Sequence, residues 1–276
     1  MKKHFFLVAF LTIFTIQAQR FDIKDFNEKT AIAEWLVDYD LAAWWSTDSL
    51  MTKDKSRINR IGKEWFCFQD STQTWHSVYG KYENGVYDQV FHFIVKSSSD
   101  VKESTKKINS EFLNSHAKAL NKAFEQSKGI RDSSGLRFNN YIRKNEKGNF
   151  NVYILPAFQP DGTAIYGGEF IYEITPENQI VNDQSYYQGN FRGFKTDPPR
   201  EIWINYRELE KPSLGSVFFA WYYQPYFTKI VIDNKESFST PFKGGTEWTW
   251  IHAEKDLKKE AKAKRKEERK KKKQRE

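Results

Sequence analysis

The segment TWHSVYGKYENGVYDQVFHFIVK, Thr74 to Lys96, decides how this chain folds. Apolar and polar residues alternate on both sides of Asn84-Gly85, and both residues of that dipeptide tolerate the positive φ that a two-residue hairpin turn requires. Strands over 74–82 and 86–96 follow, with 63–69 in front of them completing a meander. With Asn84-Gly85 as the loop, Glu83 pairs with Val86, Tyr79 with Val90 and His76 with Phe93. His92 then falls on the face opposite His76, and only a one-residue bulge would bring the two imidazoles together. Val78, Phe91 and Phe93 load one face and Trp75, Tyr79 and Ile94 the other, so cover is expected on both sides.

Helices flank this meander. Upstream, over 30–50, Ile32, Leu36, Tyr39 and Ala43 recur at helical spacing, and Trp35, Trp44 and Trp45 widen the apolar face towards two neighbours. Asp38 and Asp40, two apart on that helix, do not face one another and make a poor acid–base pair. Downstream, Ser97-Ser98-Ser99-Asp100 reads as a cap, Ile108, Phe112, His116 and Leu120 as a buried stripe, and Gly129 as a C′ glycine. These signals predict one long helix over about 100–128. Residues 129–135 are the candidate for an internal subdivision. Beyond them, turn residues separate strands expected near 136–143, 149–158, 163–174, 179–188, 201–206, 215–223, 226–233 and 246–252. Gly167-Gly168 interrupts the third of these and marks a bulge or a close backbone approach. The expectation is an α+β fold: aromatic-rich antiparallel β-sheet, an N-terminal helix, one long helix packed on the sheet, and a basic C-terminal tail.

Composition agrees. Phe, Tyr and Trp make up 46 of 276 residues, a usage that favours pleated, half-buried surfaces. The net charge of +8 is carried by the ends. Residues 254–276 hold 13 Lys and Arg against 6 Asp and Glu, while 19–253 hold 29 against 30, so a nearly neutral body carries a basic tail. Residues 1–18 read as a signal peptide: Lys2 and Lys3 precede the apolar run Phe5–Ile16, and Ala18 precedes the expected cut. That run reaches only about 18 Å as a helix, against roughly 30 Å of hydrocarbon. The reading is an exported protein, periplasmic or secreted, soluble after cleavage, with no transmembrane segment left and one body over 19–253. Cys67 is the sole cysteine and sits in an apolar run, which suits a small buried hydrophobe better than a reactive thiol.

Motifs for chemistry are missing. The chain has no phosphate-cradling glycine loop, no H-E-x-x-H, no G-x-S-x-G and no cysteine pair for zinc, so neither a metal nor a cofactor is expected. His116 lies on the buried stripe and reads as a core histidine, and His252 as a sheet-end surface group. Glu169, directly after Gly167-Gly168, is the first carboxylate to test for a hydrolase; its bland counterpart is a solvated side chain on a bulged edge. Two aromatic segments are candidates for ligand binding. In 186–194, read as a loop, Tyr187, Phe191 and Arg192 can stack on sugar rings. In 218–227, read as part of a strand, Trp221 and Tyr223 share a face. The run Lys270, Lys271, Lys272 and Lys273 suits an anionic surface. The leading expectation is a non-enzymatic binding module of the cell envelope with a glycan or anionic envelope surface as partner. It involves no specific nucleic acid and assigns no oligomeric state. The alternatives are an exported hydrolase and a polyanion tether acting through the tail.

Overall fold

The computed structural model describes residues 21–256; the signal-peptide reading of 1–18 and Lys270–Lys273 lie outside the described residues. The chain begins with α1 (Ile23–Leu50), capped by Asp22, whose side chain accepts from the Asp25 amide at 3.1 Å. A single turn, α2 (Lys55–Ile58), leads to a four-stranded antiparallel meander, β1 (Phe66–Gln69), β2 (Trp75–Glu83), β3 (Val86–Ser97) and β4 (Asp100–Glu103). Next come α3 (Ser110–Ser134) and the strands β5 (Phe138–Lys144), β6 (Phe150–Pro156) and β7 (Thr163–Ile174). β8 (Ile180–Asp183) and β9 (Tyr186–Lys195) follow one another antiparallel along β7. The last part is β10 (Glu201–Tyr206), α4 (Leu214–Tyr223), β11 (Lys229–Asn234), β12 (Ser237–Gly244) and β13 (Glu247–Glu254), whose strands pair in the order β10-β11-β12-β13. The α+β class, the antiparallel character and the aromatic cores agree with the sequence reading.

β5, β6 and β7 pair in that order into a second sheet with β8 and β9 on its far edge. Its central strands β6 and β7 are buried on both faces, and strand alternation sorts the side chains between two cores. Tyr141, Tyr153 and Tyr166 join α1, α4, β10 and β11 in one core. Ile142, Val152 and Ile154 join Leu113, Leu120 and Phe124 of α3 in the other. Helix α3 reaches Phe66 and Val78 of the first sheet as well, so it covers both sheets from one side. α1 divides its apolar surface between two cores, Leu36 and Tyr39 in the first and Ala42 and Leu50 in the core over β3. The widened apolar face predicted this double contact.

Several local expectations are corrected. Asp100–Glu103 is a strand pairing with β3, and Asn109 is the cap that starts the long helix, accepting from the Phe112 amide at 3.0 Å. That helix therefore runs over 110–134 instead of 100–128: Gly129 lies inside it and Gly135, at φ +66°, ends it. Residues 129–135 are thus the last turns and cap of α3. Residues 215–223 form helix α4, not a strand. Ser213 caps it by accepting from the Ser216 amide at 3.2 Å, and its apolar residues are buried almost all round, so no polar face gave a helical period. α4 also supplies the crossover that the parallel pair β10–β11 requires. The 186–194 loop is strand β9, and β12 has no counterpart in the predicted strands.

Candidate functional site

A cleft of about 640 Å³ opens between the second half of α1, the start of β5, the residues after β6 and the end of α4. Its floor is polar. Asp40 sits on the inward stripe of α1, one turn from Leu36, and is buried. Its Oδ1 accepts from Asn139 Nδ2 at 2.8 Å and from the Tyr141 hydroxyl at 3.0 Å, and its Oδ2 from the Tyr222 hydroxyl at 2.7 Å. Asn139 and Tyr141 are two apart on β5 and so share the face turned to α1. Burial raises the Asp40 carboxyl above its usual range against the pull of these three donors. Burial and the Asp40 charge hold both phenols far above theirs, so each keeps its proton and donates it.

The walls are aromatic and held from behind. The Trp65 ring stacks on Tyr79 at 6.1 Å, and Phe158 packs against Tyr226 at 5.6 Å. Trp44 is 54% exposed and has no ring partner among the described residues. Asp48, Thr47 and Arg137 form the rim, all exposed. Rigid ring faces beside a fixed polar floor suit a ligand that is itself two-faced, with C–H surface on one side and hydroxyls on the other.

Of the residues singled out from sequence, Tyr187, Phe191 and Arg192 come together, lining a shallow groove of about 390 Å³ on β9. The bulge at Gly167-Gly168 seats this strand: a Cβ at Gly167 would stand 2.8 Å from the Asn190 carbonyl, and one at Gly168 would press into the Phe191 ring. Trp221 and Tyr223 do not share a face. On helix α4 they point apart: Trp221 stacks on Trp250 at 5.8 Å while Tyr223 is buried in the core, which corrects the strand-based pairing.

Glu169 is neither on an open edge nor in a cleft. It is buried beneath the start of α4, where Oε2 accepts from the Ser213 hydroxyl at 2.8 Å and from the Gly215 amide. A carboxylate here satisfies donors that a helix N-terminus leaves open and complements its dipole. Burial pushes its pKa up to about 7 against those bonds. The cavity beside it, lined by Gly168 and Gly215, measures only about 10 Å³, too small for a substrate.

The histidines revise one expectation. The β2–β3 pairing shifts between Tyr79 and Gly80, so Tyr79 pairs with Phe91, His76 with Ile94 and Val78 with His92. The bulge at Val90 turns His92 to the side of His76, and His76 Nδ1 lies 2.8 Å from His92 Nε2. His76 Nε2 is 3.1 Å from Asp70, and His92 Nδ1 is 3.1 Å from the Lys106 carbonyl. His116 is a core residue, stacked on Phe66 and donating Nδ1–H to the Phe112 carbonyl at 2.7 Å. His252 is half-buried instead of a surface group, stacked on Phe21 at 4.0 Å. Cys67 is fully buried. Among the described residues no group of three or more His, Cys, Asp or Glu is placed to hold a metal ion, and no helix is long and apolar enough to cross a membrane.

The cleft residues Trp44, Trp65, Arg137, Asn139, Phe158 and Tyr222 were not among the sequence candidates. The available signal was Asp40 itself, an acid on an apolar stripe, with the adjacent pair Trp44-Trp45 one turn further on. Fold and cleft together define an α+β protein with an aromatic-walled, acid-floored cleft. No protein-family model matches the chain, and neither a characterised protein nor a solved structure does so.

Proposed function

We propose that this chain is a non-enzymatic binding module of the cell envelope that takes a saccharide unit in the cleft between α1 and α4. The observation that supports it is the exposed Trp44 ring facing a cleft whose floor, Asp40 with Asn139, Tyr141 and Tyr222, is already hydrogen-bonded. The volume lies within the range of small-molecule sites. A sugar ring would lay its C–H face on Trp44 or Trp65 and direct hydroxyls to Asn139, Asp48 and Arg137. Export accords with the apolar run Phe5–Ile16 behind Lys2 and Lys3. Calorimetry against cell-wall and capsular oligosaccharides is expected to find a ligand, and W44A to weaken it about tenfold or more. Heat exchange unaffected by W44A would reject the site.

A hydrolase is the second reading, and one feature favours it: Asp40, with its raised carboxyl, and exposed Asp48 line the same cleft. They stand eight residues apart on α1, about 12 Å along the axis, and inverting hydrolysis would need their carboxyl groups roughly 6.5–9.5 Å apart. Release of reducing ends from the same oligosaccharides, abolished by D48N, would favour it over binding alone.

A further inference from the structure

We propose that the β12–β13 hairpin and the outer face of its sheet dock on an anionic lipid surface. The hairpin stands away from the body. β12 and β13 pair over eight positions, from Ser237–Glu254 to Gly244–Glu247, whereas β12 meets β11 only at Ser239 and Phe238. Its inner face is occupied near the base, where Trp250 and His252 pack on Phe26. Among the described residues its outer face is covered at the base, where Trp203 and Lys255 meet Phe238, and open beyond it. By alternation Phe238, Thr240 and Phe242 share that face with Thr249, Ile251 and Ala253. Trp203 of β10 joins them, edge-on to Phe238 at 5.4 Å. Trp203, Phe242 and Ile251 are 46%, 50% and 47% exposed, which puts three large apolar side chains on one open strip. At the tip Trp248 is also exposed, with the Lys243 ammonium 5.9 Å from its ring.

Charge selects the partner. Lys255, the residue after β13, is buried against this same face: its ammonium bonds Asp233 and the Asn234 carbonyl and lies 4.4 Å from the Phe238 ring. Asp233 also binds Arg207, at 2.5 Å, so this buried acid of the face is paired with two cations. The chain therefore leaves the fold beside the apolar strip, and it leaves into a segment where 254–276 carries 13 Lys and Arg against 6 Asp and Glu. Aromatic and aliphatic side chains next to concentrated positive charge match an interface of acyl chains under anionic headgroups. A polysaccharide or nucleic acid would use the charge but has little to gain from Ile251, which offers neither a polar atom nor a ring face.

The test is co-sedimentation of residues 19–276 with phosphatidylcholine vesicles, with and without phosphatidylglycerol. The apolar run 5–16 is left out because it would partition on its own. The expected result is binding to the phosphatidylglycerol vesicles that weakens with salt, falls about tenfold or more in F242S/I251S, and falls again when 257–276 are deleted. Both substituted side chains are exposed, and an unchanged melting temperature confirms that the fold is intact. Two results would overturn the proposal: no binding to either vesicle, or binding that F242S/I251S leaves unchanged and tail deletion abolishes. The second result, with heparin bound as tightly as the vesicles, would make the tail a polyanion tether and the hairpin a bystander.

Discussion

The Tyr222 hydroxyl donates to Asp40 Oδ2 across 2.7 Å and ties the end of α4 to the middle of α1, 182 residues earlier in the chain. With Tyr141 and Asn139 on Oδ1, the bond closes the floor of the cleft from three elements. Removing it leaves a buried carboxylate short of a donor. Y222F is expected to cost about 1–3 kcal/mol in chemical denaturation, with the ring and the cleft wall retained. A loss within experimental error would show that Asp40 is solvated in the free protein.

Glu169 and Gly215 are fitted to each other: a Cβ at Gly215 would overlap Glu169 Oε2. G215A should therefore destabilise by about 1–3 kcal/mol despite alanine's better helix propensity. In the E169A background, where only the Cβ contact at 3.1 Å remains, the same change should cost much less. Additive costs in the double-mutant cycle would mean that the two residues do not touch.

The same carboxyl makes stability depend on pH. Its folded pKa of about 7 lies above the ordinary glutamate value of 4.5, so the native state binds the extra proton between those values. The resulting stabilisation is complete below pH 4.5 and is lost as pH rises to about 7, roughly 3 kcal/mol in all. His116 acts in the opposite sense: burial lowers it to about 4, so its contribution is lost as pH falls from 6.5 to 4. Comparison with E169Q cancels the histidine contribution. Denaturation across pH 4–8 should show wild type losing ground to E169Q as pH rises through 4.5–7, and parallel curves would refute the assignment.

Gly129 sits inside α3 with open space where a Cβ would stand. G129A should stabilise the protein by about 0.5–1 kcal/mol, a rise in melting temperature of a few degrees at most. A fall would place that position in contact with something other than solvent.

His92 Nδ1 faces a carbonyl, which only accepts, so Nδ1 carries the proton and Nε2 accepts from His76 Nδ1–H. Burial holds His92 below its usual range and favours this neutral form. Two-bond nitrogen–proton correlation spectra near neutral pH should show the Nδ1–H tautomer. The Nε2–H tautomer would contradict the bond from His92 Nδ1 to the Lys106 carbonyl.

Much of the fold was legible because its signals are local. Asn84-Gly85 places the β2–β3 turn correctly, with φ of +53° and +83° and the expected Glu83–Val86 pair, and 163–174 and 201–206 were read as the strands they are. What failed depends on partners distant in sequence. The β2–β3 bulge has no glycine or proline on the bulged strand to announce it, and α4 is buried so completely that its period vanished behind residues that equally favour strands. The site was least legible of all. Trp44 and Tyr222 acquire a common cleft only when α4 crosses back over β5–β7 beside α1, and that crossing was hidden once α4 was read as a strand.

The most direct test of the binding site follows the nine tryptophan indole N–H signals in a ¹⁵N-labelled sample titrated with the tightest oligosaccharide from calorimetry. The nine side chains are distributed over the whole fold, so they report on location. A saccharide in the α1–α4 cleft predicts shifts concentrated at Trp44 and Trp65, with Trp203, Trp221 and Trp248 unmoved. Shifts that spare Trp44 and Trp65, or that gather on the β12–β13 hairpin, would contradict it.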